Sequence, residues 1–185
     1  FEAEEVYATV GRMAVGVSNL KNRNLLVARS LRWRAMIAQV SSIQQQAAGA
    51  NVGGGSLIAH GHLTSAIGLR TQHGPFGGWD LIEQGDLQYT AAYVQFRLGF
   101  TVQFPQSLSA AETAYKSVLD QTPSARLRNG RTQRLRLAAR EGLERVQKAR
   151  LDEPTWDEAW LLPNSQPSEQ PTGRIDGATG DQSVQ

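Results

Sequence analysis

The 185-residue sequence predicts a mainly helical chain with one long β-hairpin, an α+β subunit in the order helix, hairpin, helix. Three observations lead there. Residues 94 to 104 alternate without a break, apolar at even positions and polar or Gly at odd ones, which is the period of a strand with one apolar face. Leu26, Trp33, Met36, Ile37, Val40, Ile43 and Ala47 recur at the three- and four-residue steps of a helix. A second helical stripe runs through Leu135, Ala139, Leu143 and Val146. A lone hairpin is marginal in water, so its apolar face requires helices, further copies or lipid against it. The expectation is that oligomerisation completes the hairpins into a sheet or barrel.

Taken in order, residues 2 to 17 predict a short helix, with Glu2, Glu4 and Glu5 at its positive end. Asn19, Asn22 and Asn24 mark a break, and a long helix spans Leu25 to about Ala48, ended by Gly49 and Gly53-Gly54-Gly55. Residues 56 to 70 read as the first strand, with Leu57, Ala59, Gly61, Leu63, Ser65, Ile67 and Leu69 of one parity; helix is the rival reading. Turn signals at Gly74-Pro75, Gly77-Gly78 and Gly85-Asp86 predict a loop over 71 to 86. The second strand covers 87 to 104, with a bulge at Ala91-Ala92, and Pro105 stops it. Ser109-Ala-Ala-Glu112 has capping-box spacing for the next helix, Pro123 breaks that helix, and a last one runs from about Ala125 to Arg150. Trp156, Trp160, Leu161 and Leu162 form a local anchor. One domain thus covers residues 1–162, and 163–185 is a disordered acidic tail, too polar to offset the cost of ordering.

Net charge is +2, but its distribution is uneven. No acidic residue lies between Glu5 and Asp80, while Arg12, Lys21, Arg23, Arg29, Arg32, Arg34 and Arg70 do. The last helix carries Arg126, Arg128, Arg131, Arg134, Arg136 and Arg140, a basic face suited to phosphate, acidic lipid or an acidic protein surface, or simply to solvent. With no Cys, disulfides and thiolate chemistry are excluded. No apolar run approaches the roughly 20 residues of a membrane helix, which leaves a β-barrel span open. Phe1 in place of Met is read as a missing or cleaved N-terminal segment.

Chemistry-bearing motifs are sparse. His60 and His62 would share a face of a strand, yet no third ligand accompanies them, so no metal is expected. Gly53-Gly-Gly-Ser56 lacks the Lys of a phosphate loop, and no Gly-x-Ser-x-Gly elbow occurs. Asp80, Glu83 and Asp86 read as loop carboxylates that solubilise; a pocket joining Asp80, Glu83 and a His would instead favour a hydrolase. Trp79 is a candidate exposed anchor. No enzymatic activity and no cofactor are expected. On the hairpin, Gln95, Arg97, Thr101 and Gln103, with His60 and His62, are the candidate polar or pore-lining face. Val94, Phe96, Leu98, Phe100, Val102 and Phe104 are the candidate face toward lipid or a neighbouring copy.

Arg29 to Gln46, the junction Ala47-Ala-Gly-Ala-Asn-Val-Gly-Gly-Gly-Ser56, and the Tyr- and Arg-bearing segment Asp86 to Gly99 resemble the small internal virion, or ejection, proteins of short-tailed bacteriophages. The resemblance implies a virion protein that leaves the capsid with the genome and helps build a ring or channel, extending to the host outer membrane on infection. Its implied partners are further copies of itself, other virion proteins, DNA through non-specific phosphate contacts, and the outer membrane. The order helix, strand, loop, strand ending at Phe104-Pro105, helix also looks like half of a TolC-type outer-membrane efflux channel. A third reading is a soluble phage neck or tail connector subunit whose hairpin docks on neighbouring subunits.

Overall fold

The computed structural model describes residues 2–17, 19–49, 53–72, 77–122, 130–151 and 154–161. Among these residues every regular element is helical and no strand occurs, so the expected β-hairpin, with its sheet or barrel, is corrected to helices. The elements are α1 (Glu2–Met13), a 3-10 turn (Ala14–Gly16), α2 (Leu20–Ala47), α3 (Gly53–Thr71), α4 (Gly78–Arg97), α5 (Gln103–Gln121), α6 (Gly130–Ala149) and the short α7 (Glu158–Leu161). The acidic tail from 163 onward, Leu162, His73, Arg126 and Arg128 lie outside the described residues.

Each misread segment has a physical cause. In α3 the residues that matter are Ser56, Ala59, Leu63 and Ala66, all buried, at steps of three and four, while Leu57, Gly61 and Ser65 of the supposed strand face stay exposed. Gly55 explains the glycine run. A Cβ placed there would lie 2.9 Å from the Ala38 carbonyl oxygen and 2.9 Å from Ser42 Cβ, so α3 starts with its backbone pressed on α2. The hydroxyls of Ser42 and Ser56 join the two helices at 3.2 Å. At Gly55 the run marks a close helix–helix approach, not a passage into a strand.

α4 is the central helix, packed against α3, α5 and α6, and residues 89 to 95 are buried on every side. A helix enclosed all round has no apolar stripe, so its 3.6-residue signature vanishes and a chance two-residue alternation remains. Val94 is core, and Phe96 stands edge-on to Phe104 with 5.6 Å between ring centroids. Leu98 packs against the same core, and Val102 is 67% exposed. The expected apolar ribbon face is therefore split over a helix end, a turn and the start of α5.

That turn is set by Gly99, at φ +74. The Gly99 amide donates to the Phe96 carbonyl at 2.9 Å and the Phe100 amide to the Gln95 carbonyl at 2.9 Å. This pair of bonds closes a helix with a left-handed residue. Gly99→Ala is expected to cost about 1–2 kcal/mol, the penalty for an L side chain in that region; an unchanged thermal midpoint would show that the turn relaxes freely. Pro105 then sits in the first turn of α5, where a missing amide costs nothing. Ser109 is correspondingly not a cap: its hydroxyl donates to the Pro105 carbonyl at 2.9 Å from inside the helix.

Candidate functional site

The strongest concentration of polar chemistry lies where α2, α3, α4, α6 and α7 converge. Its origin is spacing. Asp80, Glu83 and Asp86 fall three residues apart on α4, hence along one face. The loop predicted over 71 to 86 is corrected here: α4 begins at Gly78 and carries all three carboxylates. Opposite them, Arg29 and Arg32 are three apart on α2, and Arg70 ends α3.

Two halves can be distinguished. In the outer half Glu83 accepts from Arg29, whose guanidinium is held above its ordinary value chiefly by that hydrogen bond. Arg70 lies 3.6 Å from Glu83 and 3.8 Å from Asp80, and its Nη2 donates to the Asp80 carbonyl oxygen at 2.7 Å. A cleft of about 160 Å³ opens here, lined by Arg29, Arg32, Trp33, Arg70, Glu83 and neighbouring apolar groups. Among the described residues no histidine lines it.

In the inner half Asp86 is nearly enclosed. Tyr115 Oη donates to Asp86 Oδ1 at 2.7 Å, Arg145 Nη2 approaches the same oxygen at 3.4 Å, and Arg32 Nη1 lies 4.0 Å from Oδ2. Both guanidinium groups also lie over the Trp160 ring, at 5.2 Å for Arg32 and 4.3 Å for Arg145. Burial pushes the Asp86 carboxyl above its ordinary range, opposed by Arg32, Tyr115 and Arg145. Burial likewise lowers Arg32 and raises the Tyr115 phenol. Desolvation is the largest influence on both sides of the pair.

This arrangement clamps helices. Asp86 Oδ1 is bound by Tyr115 and Arg145, Oδ2 faces Arg32, and among the described residues no group of His, Asp and Glu is placed to hold a metal. Trp156 and Trp160 seal the far side by packing on Tyr89, Tyr93 and Phe96.

The residues expected to form a polar lining are dispersed. His60 and His62 are on α3, where two positions differ by about 200°, so they do not share a face. His60 meets the edge of Phe100 at 5.2 Å, leaving its Nδ1 buried without a hydrogen-bond partner. Gln95 is buried in the core, Arg97 donates to Gln46 at 3.1 Å, and Thr101 and Gln103 are exposed at the α4–α5 turn. On α6, Arg131, Arg134 and Arg140 are exposed. Arg136 instead turns inward and donates to the carbonyls of Leu119 (3.2 Å) and Thr122, which close the C-terminal end of α5.

The Asp86 cluster was not anticipated from the sequence. Its signal was nevertheless present: a chain without acids from residue 6 to 79 must supply counter-charges from elsewhere, and three carboxylates at helical spacing follow at once. No protein-family description, no curated protein and no solved structure matches this chain.

Proposed function

We propose that the chain is a non-enzymatic structural subunit of a bacteriophage particle, an internal virion or ejection protein that assembles into a ring for genome passage. The observation that carries this reading is the division of the charges. Arg32, Arg70 and Arg145 are turned onto carboxylates of α4, and Arg29 joins them from the surface, whereas Arg134 and Arg140 are exposed on α6. An outward basic face suits a polyanion read through phosphates without sequence preference. The segments that resemble ejection proteins also form one helical unit: α2, its close junction with α3, and α4.

The hairpin-lined pore is not part of this proposal. No described helix is long and apolar enough to cross a membrane. A soluble neck or tail connector is the second reading, favoured by one observation. Val94, Phe96, Leu98 and Phe104, expected to face lipid or a neighbouring copy, pack within the chain itself. Mass measured by light scattering with and without detergent decides between them. A defined oligomer in plain buffer is expected of a connector, and a detergent-dependent one of a channel. Binding to duplex DNA should weaken steeply with salt and ignore sequence. A chain that stays monomeric at every concentration and leaves DNA unbound would overturn both.

A further inference from the structure

Among the described residues, α1 is held chiefly by α2. Tyr7 stacks on Trp33 of α2 at 5.5 Å and 11°, its carbonyl accepts from the Ser30 hydroxyl, and a Cβ on Gly11 would lie 3.2 Å from Ser30 Oγ. The other side carries Val6, Val10 and Met13, at 58%, 38% and 72% exposure. Steps of four and three put them in one stripe, bordered by Glu5 and Thr9.

A matching face exists on α6. Its buried side is formed by Leu135, Ala139, Gly142, Val146 and Ala149. Outward, Leu137 is 57% exposed, with Arg134 three positions before it and Glu141 four after it. Glu5 and Arg12 are seven residues apart on α1, and Arg134 and Glu141 are seven apart on α6. On either helix that is about 10 Å. Laid parallel, Glu5 meets Arg134, Arg12 meets Glu141, and Leu137 enters between Val6 and Val10.

We infer that α1 of one copy docks on the outer face of α6 of the next. On this face Glu5 and Arg12 each find an opposite charge, at Arg134 and Glu141, with Leu137 between them. The contact joins two different patches, so an open assembly keeps one free α6 at one end and one free α1 at the other. Such head-to-tail contacts propagate into rings when the rotation closes and into filaments when it does not. This inference rests on the assembly reading above and specifies its interface.

The absence of Cys makes the test direct. Full chains bearing Val10→Cys and Leu137→Cys are mixed and treated with a short thiol cross-linker; both sites are exposed, and thermal melts check that each variant folds. Mixed cross-linked dimers are expected, with little product from either variant alone. Glu5→Lys should weaken self-association about tenfold, and adding Arg134→Glu to the same chain should restore it. Val10→Cys dimers formed alone would overturn the contact in favour of an α1–α1 pair. An oligomer that forms yet yields no mixed product, or ignores the charge reversal, would overturn the contact and leave the assembly reading standing. A monomer at all concentrations would overturn both.

Discussion

Tyr115→Ala is expected to lower the unfolding free energy by about 3–5 kcal/mol, the range for truncating a fully buried aromatic side chain. The ring is inserted between two helices that approach it with glycines. A Cβ built on Gly85 of α4 would stand 2.5 Å from Tyr115 Cε1, and one on Gly142 of α6 would also stand 2.5 Å away. The ring is fully buried and its hydroxyl is tied to Asp86, so it has no free end to swing aside. Gly142→Ala should therefore destabilise by about 1–3 kcal/mol through overpacking. That is opposite in sign to the gain of nearly 1 kcal/mol that Ala brings to a helix interior. The two effects separate in a cycle: in the Tyr115→Ala background, Gly142→Ala should become stabilising, because the clash is gone and the propensity gain remains. Urea unfolding of the four proteins measures it. Gly142→Ala stabilising the otherwise unaltered chain would refute the wedge.

Asp86→Leu should cost about 3–5 kcal/mol, because it leaves two buried guanidinium groups without their carboxylate. Their side chains are only 20% exposed for Arg32 and 14% for Arg145, so water does not replace the lost partner. Replacing Asp86, Arg32 and Arg145 together by apolar residues of similar volume should recover most of the loss. Asp86→Asn should be milder, about 1–2 kcal/mol, since its carbonyl oxygen still accepts from Tyr115. The pH dependence has a definite sign. Burial holds the Asp86 carboxyl above its ordinary value, so the folded chain keeps this proton to higher pH than the unfolded one. Through this group, stability is highest below the ordinary carboxylate range and declines as pH rises toward the folded value. That decline should vanish in Asp86→Asn. A stability curve that instead falls with acid in the parent and flattens in the variant would show that the arginines outweigh burial.

Some of this structure could be read directly from residue order. The steps from Leu26 to Ala47 point to a helix, and α2 is there, although its buried side is formed by Ala28, Ser30, Ala35, Gln39 and Ser42 around Met36. The stripe of Leu135, Ala139 and Val146 does mark the buried side of α6, with Leu137, Arg134 and Arg140 left outside. Where a helix has water on one side, its period survives in the sequence. In α4 it does not, because helices and two tryptophans enclose residues 89 to 95. Gly99 was the overlooked signal, a stop residue in the middle of an apparent alternation.

By itself the sequence determined the helical nature of α1, α2, α6 and most of α5, the absence of thiol chemistry and the unequal distribution of charge along the chain. Only the tertiary structure decided that Asp86 meets Arg32 and Arg145, that Tyr115 enters between Gly85 and Gly142, and that the stretch from Val94 to Phe104 is two helix ends around a turn. Those contacts join residues far apart in sequence, 29 positions for Tyr115–Asp86 and 59 for Arg145–Asp86. Local periodicity reports which side of an element meets water, and carries no record of which distant residue fills the other side.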